Sequence, residues 1–331
     1  MRFGAFVPQG WRLDLVGIEV PDQWQTMTDV ARIIESSGFE SLWVYDHFHT
    51  TPVPTQEETY EAWTLMAAFA AVTDTVRLGQ MCTCNGYRHP SHLAKVAASI
   101  DAISGGRVEM GIGAGWYEHE FTGYGYPFPK PSVRIGQLRE AVEIMRRLWT
   151  EDVVDYDGDH YRLEGGICRP RPLQDPHIPL WIAGGGEQLT LNVAARYAQY
   201  TNFGGTLENF AHKSSVLAGH CADVGRDFDE ITRSANFNVV CVQSESDIEA
   251  WTARAIDRYT AFLGSDRAET TVRKTVAGGL AGTPEQIVDT LTEWQRRGLS
   301  YAIGYFGDAA YDRTGLELFA REVIPALGAD Y

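Results

Sequence analysis

The sequence predicts an α/β protein folded as a (β/α)8 TIM barrel, and three observations carry that reading. Short runs rich in β-branched and aromatic residues alternate with longer stretches of helical spacing along nearly the whole chain. Eight such runs can be counted, and almost every one is followed by a helix, which makes consecutive strands parallel. No linker rich in Pro, Gly or Ser divides the 331 residues, so the chain reads as one domain, 1–331. An open doubly wound sheet is the alternative that pattern alone leaves standing.

Element by element, residues 3–7 form the first strand, stopped by Pro8. Trp24, Met27, Val30 and Ile34 share one helical face, and Gly38 ends that helix as a C-terminal cap. FESLWVYDH (39–47) is the second strand, 62–72 a helix and VRLGQMCTC (76–84) the third strand. Pro90 opens a helix over 91–103 that Gly105 and Gly106 close. RVEMGIG is the fourth strand, and 134–149 a long amphipathic helix.

The alternation then breaks. Residues 153–166 read as a β-hairpin turning at Asp157-Gly158, an insertion after the fourth strand, and a Pro-rich connector follows. PLWIAGGG resumes the pattern, with a helix from near Glu187 to Tyr197, a strand over 199–203 and a helix over 207–224. A strand over 231–242 and a helix over 247–262 precede a polar, glycine-rich segment, 263–282. That segment, an insertion before the eighth strand, is expected to be a mobile loop or lid. Thr283-Pro284-Glu285 is a helix start, with an N-cap, Pro at N1 and an acidic first turn. A strand over 300–306 and a helix over 314–327 complete the barrel.

Composition narrows the function. With 44% hydrophobic residues the chain can bury a large core, and its net charge of −16 argues against a nucleic-acid or anionic-membrane partner. The five cysteines are irregularly spaced and form no CxxC pair, so neither a zinc site nor a disulfide framework is expected. The opening residues MRFGAFVPQG go straight into a strand-like run, so no secretory leader is expected, and no run approaches roughly 18 apolar residues. A cytoplasmic protein acting on a small molecule is the expectation.

The glycines carry the chemistry. Gly111, Gly113 and Gly115 alternate at the C-terminal end of the fourth strand, where barrel active sites sit, and so share one face. Three missing side chains could leave a shelf for a planar ring, or could mark a tightly packed barrel corner. A GxGxxG fingerprint is excluded, since Trp116 and Glu118 stand where its third glycine would be. Ala183-Gly184-Gly185-Gly186 lies between a strand and a helix, where backbone N–H groups suit a phosphate. Together the two clusters point to a planar cofactor with a phosphate tail. Asp46, His47 and His49 follow the second strand, while Asn85 and His89 follow the third. An imidazole at His47 could hold charge developing on a ring or substrate. Cys82 and Cys84 read as barrel filling.

These blocks bring the chain to a family. SLWVYDHF (41–48), CNGYRHPSHLAKVAASIDAISGGRVEMGIGAGWYEHEF (84–121), GDHYRL (158–163), PLWIAGGGEQLTLNVAARYAQYTNF (179–203) and AGTPEQIVDTL (281–291) resemble the luciferase-like monooxygenase superfamily. Within it they resemble the branch that uses the deazaflavin coenzyme F420. The resemblance implies cofactor binding at the strand C-termini, with a non-prolyl cis peptide near Met81-Cys82 behind the ring. It matches Asp46 and His47 to a strand-end pair with His47 facing the ring, and Asn85 and His89 to positions near the cofactor. It also matches Gly113, Ala114 and Gly115 to the ribityl segment, and Ala183, Gly184 and Gly185 to the phosphate segment. A homodimer is implied as well. One departure is Trp116, which stands where the sugar-phosphate dehydrogenases of this branch carry an acidic proton donor, and it argues against a sugar phosphate. Trp11, Trp116 and Tyr117, with Phe121, Tyr124, Tyr126 and Phe128, are either an aromatic substrate mouth or loop packing.

The expected activity is hydride transfer between coenzyme F420 and a small organic substrate, with His47 as the catalytic residue. The alternative is an FMN-dependent two-component monooxygenase supplied by a separate reductase. A catalytically silent cofactor carrier is a third reading, since fold alone does not assign function.

Overall fold

The computed structural model describes residues 1–328, so residues 329–331, the end of the 1–331 domain assignment, lie outside it. Strands and helices alternate. The first half runs β1 (Arg2–Phe6), α1 (Val20–Ser36), β2 (Ser41–Val44), α2 (Ala62–Val72), β3 (Arg77–Gln80), β4 (Thr83–Cys84), α3 (Pro90–Ser104), β5 (Val108–Gly113), α4 (Glu118–Gly123) and α5 (Pro131–Thr150). The hairpin β6 (Val154–Asp157) and β7 (Arg162–Gly166) follows, then β8 (Leu180–Ala183), α6 (Thr190–Tyr197), β9 (Tyr200–Asn202) and α7 (Leu207–Val224). The last third holds β10 (Thr232–Cys241), α8 (Ser246–Leu263), α9 (Ser265–Ala277), β11 (Leu280–Gly282), α10 (Pro284–Arg296) and β12 (Tyr301–Tyr305). The short helices α11 (Thr314–Leu318) and α12 (Ile324–Leu327) flank a wider π turn at Phe319–Val323.

The chain forms two compact units. In the first, Met1–Glu61 with the chain from Ser234 onward, β2, β1, β12, β10 and β11 lie side by side, all parallel. Helix α1 buries Met27, Val30 and Ile34, the face that the sequence spacing marks. In the second unit, Ala62–Arg233, β3, β5, β8 and β9 form a parallel ladder, β4 adds to β5, and β6 and β7 pair antiparallel. Ile112, Leu180, Trp181 and Ile182 are fully buried, as parallel strands covered on both faces require. Buried Arg107 ties the start of that ladder together. Its guanidinium donates to the carbonyls of Ala70, Thr73, Val76 and Ser104 and to the Thr73 hydroxyl, at 2.7–3.0 Å. Eight barrel strands, parallel pairing and βα alternation make this the (β/α)8 barrel that the sequence predicts.

Three local expectations are corrected. Residues 263–282 are not a loop: they hold α9 and β11, and α9 packs on α8 through buried Ala268 and Val272. Those two apolar residues, four apart in a polar segment, look like a helix face only when α8 stands opposite. The hairpin does not turn at Asp157-Gly158. Its loop is Gly158–Tyr161, closed by Gly158 N–H donating to the Tyr161 carbonyl at 3.0 Å. Helix α6 starts at Thr190 rather than near Glu187, because residues 187–189 form turns first.

Candidate active site

In the first unit, the chain leaving β2 carries Tyr45, Asp46 and His47. Gln9, fully buried in the loop after β1, fixes this segment. Its side-chain oxygen accepts from the Tyr45 N–H at 2.8 Å and its amide donates to the Tyr45 carbonyl at 2.7 Å. The amide also donates to the Tyr60 carbonyl at 2.6 Å. Two residues on, the Trp11 indole lies parallel to the His47 imidazole, with centroids 4.1 Å apart and 2° between planes. Tyr45 stacks on Phe6 at 4.1 Å. Asp46 is buried and His47 half-buried. An imidazole held flat against an indole keeps one orientation, which a general acid or a charge-stabilising group needs. Sequence reasoning selected Trp11 and His47 but not Gln9, whose single glutamine in a polar loop carries no local signal.

In the second unit, the peptide Met81–Cys82 is cis, as the family resemblance implies, and it separates β3 from β4. The face of β5 that bears the alternating glycines is not an open shelf. A Cβ on Gly111 would lie 1.9 Å from the Gln80 carbonyl oxygen, and one on Gly113 would lie 2.7 Å from Cys82 Sγ. One on Gly115, at φ +80°, would lie 2.6 Å from Cys84 Sγ and 2.8 Å from Phe121. The chain between β3 and the following turn fills that face, so close packing explains the glycines and Cys82 and Cys84 are filling.

Asn85 and His89 lie in the turn from β4 to α3. Buried Asn85 donates through Nδ2 to the Tyr161 hydroxyl oxygen at 3.2 Å, and its Oδ1 has no partner among the described residues. His89 caps α3, its Nδ1 accepting from the Ser91 N–H at 3.3 Å, and its ring meets Tyr161 edge-on at 5.3 Å. Burial, then neighbouring His92, holds its imidazole below the ordinary value, which suits an acceptor. Asn85, His89 and Tyr161, with Arg88, Arg134 and Tyr87, line a cleft of 300 Å³.

Tyr161 is another residue that sequence reasoning missed. It sits at the hairpin tip, and Glu140 of α5 holds that tip: the buried carboxylate accepts from the N–H groups of Asp159, His160 and Tyr161 at 3.0, 3.0 and 3.2 Å. A Glu at a buried helical position was the available signal, and only the hairpin's docking explains it.

The Ala183–Gly185 segment leaves β8 with Gly184 at φ +115°, and the Gly184 N–H donates to the Asn202 carbonyl at 2.9 Å. Lys213 of α7 donates to the Gly185 carbonyl, with Glu187 4.0 Å from its ammonium. A lysine beside exposed glycine backbone is a second cue for an anion that the sequence did not reveal. Trp116 and Tyr117 stack on each other at 5.1 Å, with Trp116 63% exposed, whereas Phe121 is buried against Tyr87 and Phe128. The aromatic cluster after β5 therefore divides: Trp116 and Tyr124 are exposed, Tyr117, Tyr126 and Phe128 half-buried, and Phe121 packed inside. No helix among the described residues is long and apolar enough to cross a membrane.

Comparison with known proteins adds to this geometry. The sequence pattern of the luciferase-like monooxygenase family matches residues 1–301. The chain is 29% identical over 326 residues to an F420-dependent glucose-6-phosphate dehydrogenase of Nocardia farcinica, covering 92% of this chain and 94% of that one. It is 25% identical over 321 residues to an FMNH2-dependent dimethylsulfone monooxygenase of Pseudomonas putida, covering 89% and 86%. Among solved structures, an F420-dependent secondary alcohol dehydrogenase bound to an F420–acetone adduct superimposes with a TM-score of 0.79. That match has 20% identity over 99% of both chains.

Proposed function

The chain belongs to the luciferase-like monooxygenase family, and from that premise we propose that it is a coenzyme F420-dependent oxidoreductase acting on a small organic substrate. The observation that carries the reading is the near-full-length match to an F420-dependent dehydrogenase. The residues fit such a cofactor: the unpartnered, buried Oδ1 of Asn85 calls for a donor of the kind a flavin-like ring N–H offers.

When bound, the deazaflavin supplies hydride chemistry. The protein supplies position and charge. On this reading Met81 and Cys82 back the ring, and Asn85 and His89 hold its polar edge. Backbone of Gly113, Ala114 and Gly115 follows its side chain, and Ala183, Gly184 and Gly185, with Lys213, receive its phosphate. Asp46 supports the segment that carries His47. His47 holds or releases the proton at the substrate oxygen whose carbon exchanges hydride, in the orientation that Trp11 imposes. Trp116 and Tyr117 are the proposed aromatic edge of the substrate pocket. The whole chain acts as one barrel domain, and a homodimer is the expected assembly.

Titration of the apo-protein with coenzyme F420 and with FMN, followed by Trp fluorescence, tests the proposal. Micromolar or tighter binding of F420, with FMN much weaker, supports it. The reverse preference overturns it in favour of an FMN-dependent monooxygenase with a separate reductase, the chemistry of the Pseudomonas putida relative.

A further inference from the structure

We propose that Arg12 and Asn238 of the first unit form a carboxylate-recognising pocket, so that the substrate is a small organic acid. The word substrate rests on the oxidoreductase reading; the pocket rests on its own geometry.

Arg12 leaves the loop after β1 directly beside Trp11, the residue stacked on His47. Its guanidinium lies over the Tyr305 ring, 4.0 Å from the centroid. It donates through Nη1 to Asn238 Oδ1 at 2.7 Å, and its carbonyl accepts from the Tyr259 hydroxyl at 2.9 Å. A guanidinium stays charged at any working pH and presents a planar fork of five N–H donors. Here the Tyr305 ring, Asn238 and a hydrogen bond to the Tyr45 hydroxyl fix the plane of that fork while taking up only part of its donors.

The acid two residues on, Asp14, attracts Arg12 through space but takes none of its N–H groups. Asp14 accepts from the N–H groups of Gly10 and Gln9, at 2.6 and 3.3 Å, and from the Tyr305 hydroxyl at 2.9 Å. Among the described residues, no carboxylate forms an ion pair with Arg12.

The pocket in front of Arg12 has the matching charge and size. Arg12, Asn238, Trp251, Arg258, Tyr259 and Thr271 stand in its wall, and no Asp or Glu lines it. In a chain of net charge −16, two guanidiniums without an acid make this wall a local exception. Its volume is 30 Å³. Space of that kind holds roughly two or three water-sized groups. A planar carboxylate head suits so small a space better than a bulkier tetrahedral phosphate or sulfonate. A carboxylate also meets the fork in two parallel hydrogen bonds, the geometry that gives such pairs their strength. A neutral amide would leave the charge unpaired.

Saturation-transfer NMR on the purified chain without cofactor, with propionate, propionamide and methanesulfonate as probes, tests the proposal. Propionate is expected to bind saturably, with the other two at least tenfold weaker. Arg12→Gln is expected to weaken propionate at least tenfold, and Asn238→Ala, which frees the fork from its orienting partner, at least threefold. Melting curves identify a variant that has failed to fold, and the wild-type comparison needs no variant. Equal binding of propionate and propionamide, preference for methanesulfonate, or no saturable binding overturns the proposal, as does unchanged binding in a folded Arg12→Gln protein. Because no cofactor takes part, failure of the F420 assignment leaves this outcome untouched, and the reverse also holds.

Discussion

Replacing Gly111 with alanine separates packing from ligand binding as the reason for the glycines on β5. The added Cβ would sit 1.9 Å from the Gln80 carbonyl oxygen, 1.1 Å inside the 3.0 Å that real Cβ atoms keep. The obstacle is backbone, so no side-chain rotation relieves it. Relief requires β5 to move from the chain at Gln80, between the ladder pairs Gly79–Glu109 and Thr83–Ile112. Overpacking a well-filled core costs typically 1–3 kcal/mol, and a backbone clash belongs at about 3 kcal/mol. At about 1.4 °C per kcal/mol for a chain of 331 residues, a drop of roughly 4 °C in Tm is expected for the apo-protein. Thermal unfolding followed by circular dichroism measures it, with Gly204→Ala as the control, since a Cβ there meets nothing within 4 Å. A Gly111→Ala protein with unchanged Tm but weakened cofactor binding would refute the packing argument and restore a ligand-facing role.

Other consequences can be measured on the same protein. His47→Ala is expected to depress turnover by about 10²–10⁴-fold while cofactor affinity stays within a few fold, because its role is at the substrate; equal losses in both would remove that role. Glu140→Ala strips three backbone N–H groups at the hairpin tip of a charged acceptor and should cost about 2–4 kcal/mol, with faster amide exchange at residues 159–161. Unchanged exchange there would mean that the tip is held by something else. Burial, foremost, pushes the Asp308 carboxyl up to about 6. An acid raised in the folded state binds its proton more tightly there than in the unfolded chain. Its contribution is therefore lost as pH rises from about 4 through 6. Asp308→Asn should stabilise the protein above pH 6 by up to about 3 kcal/mol and leave it unchanged below pH 4. Denaturant midpoints at pH 4 and pH 8 check this, and an equal shift at both would count against it.

Much of the barrel was legible in the sequence because its signals are local. Val108–Gly113 and Leu180–Ala183 announce themselves as buried strands, and Thr283-Pro284 announces a helix start, confirmed by Gln286 Oε1 accepting from the Thr283 N–H at 3.0 Å. The strand-end positions of His47, Asn85 and the two glycine clusters were legible for the same reason. Residues 263–277 were misread, since Ala268 and Val272 become a helix face only against α8. Gln9, Glu140, Tyr161 and Lys213 were missed because each acts on backbone or side chains far away in sequence.

By itself, then, the sequence determined the fold class and the strand-end positions of the candidate site residues, because periodicity, caps and turn residues act over a few positions, and its longer blocks carried the family resemblance. Tertiary structure alone decided what surrounds each of them. It put the Gln80 carbonyl against Gly111, the indole of Trp11 on His47, and the Arg12 fork over Tyr305 with Asn238 as partner. Those outcomes depend on distances of a few ångströms between segments as far apart in sequence as Arg12 and Tyr305, and no local pattern records them.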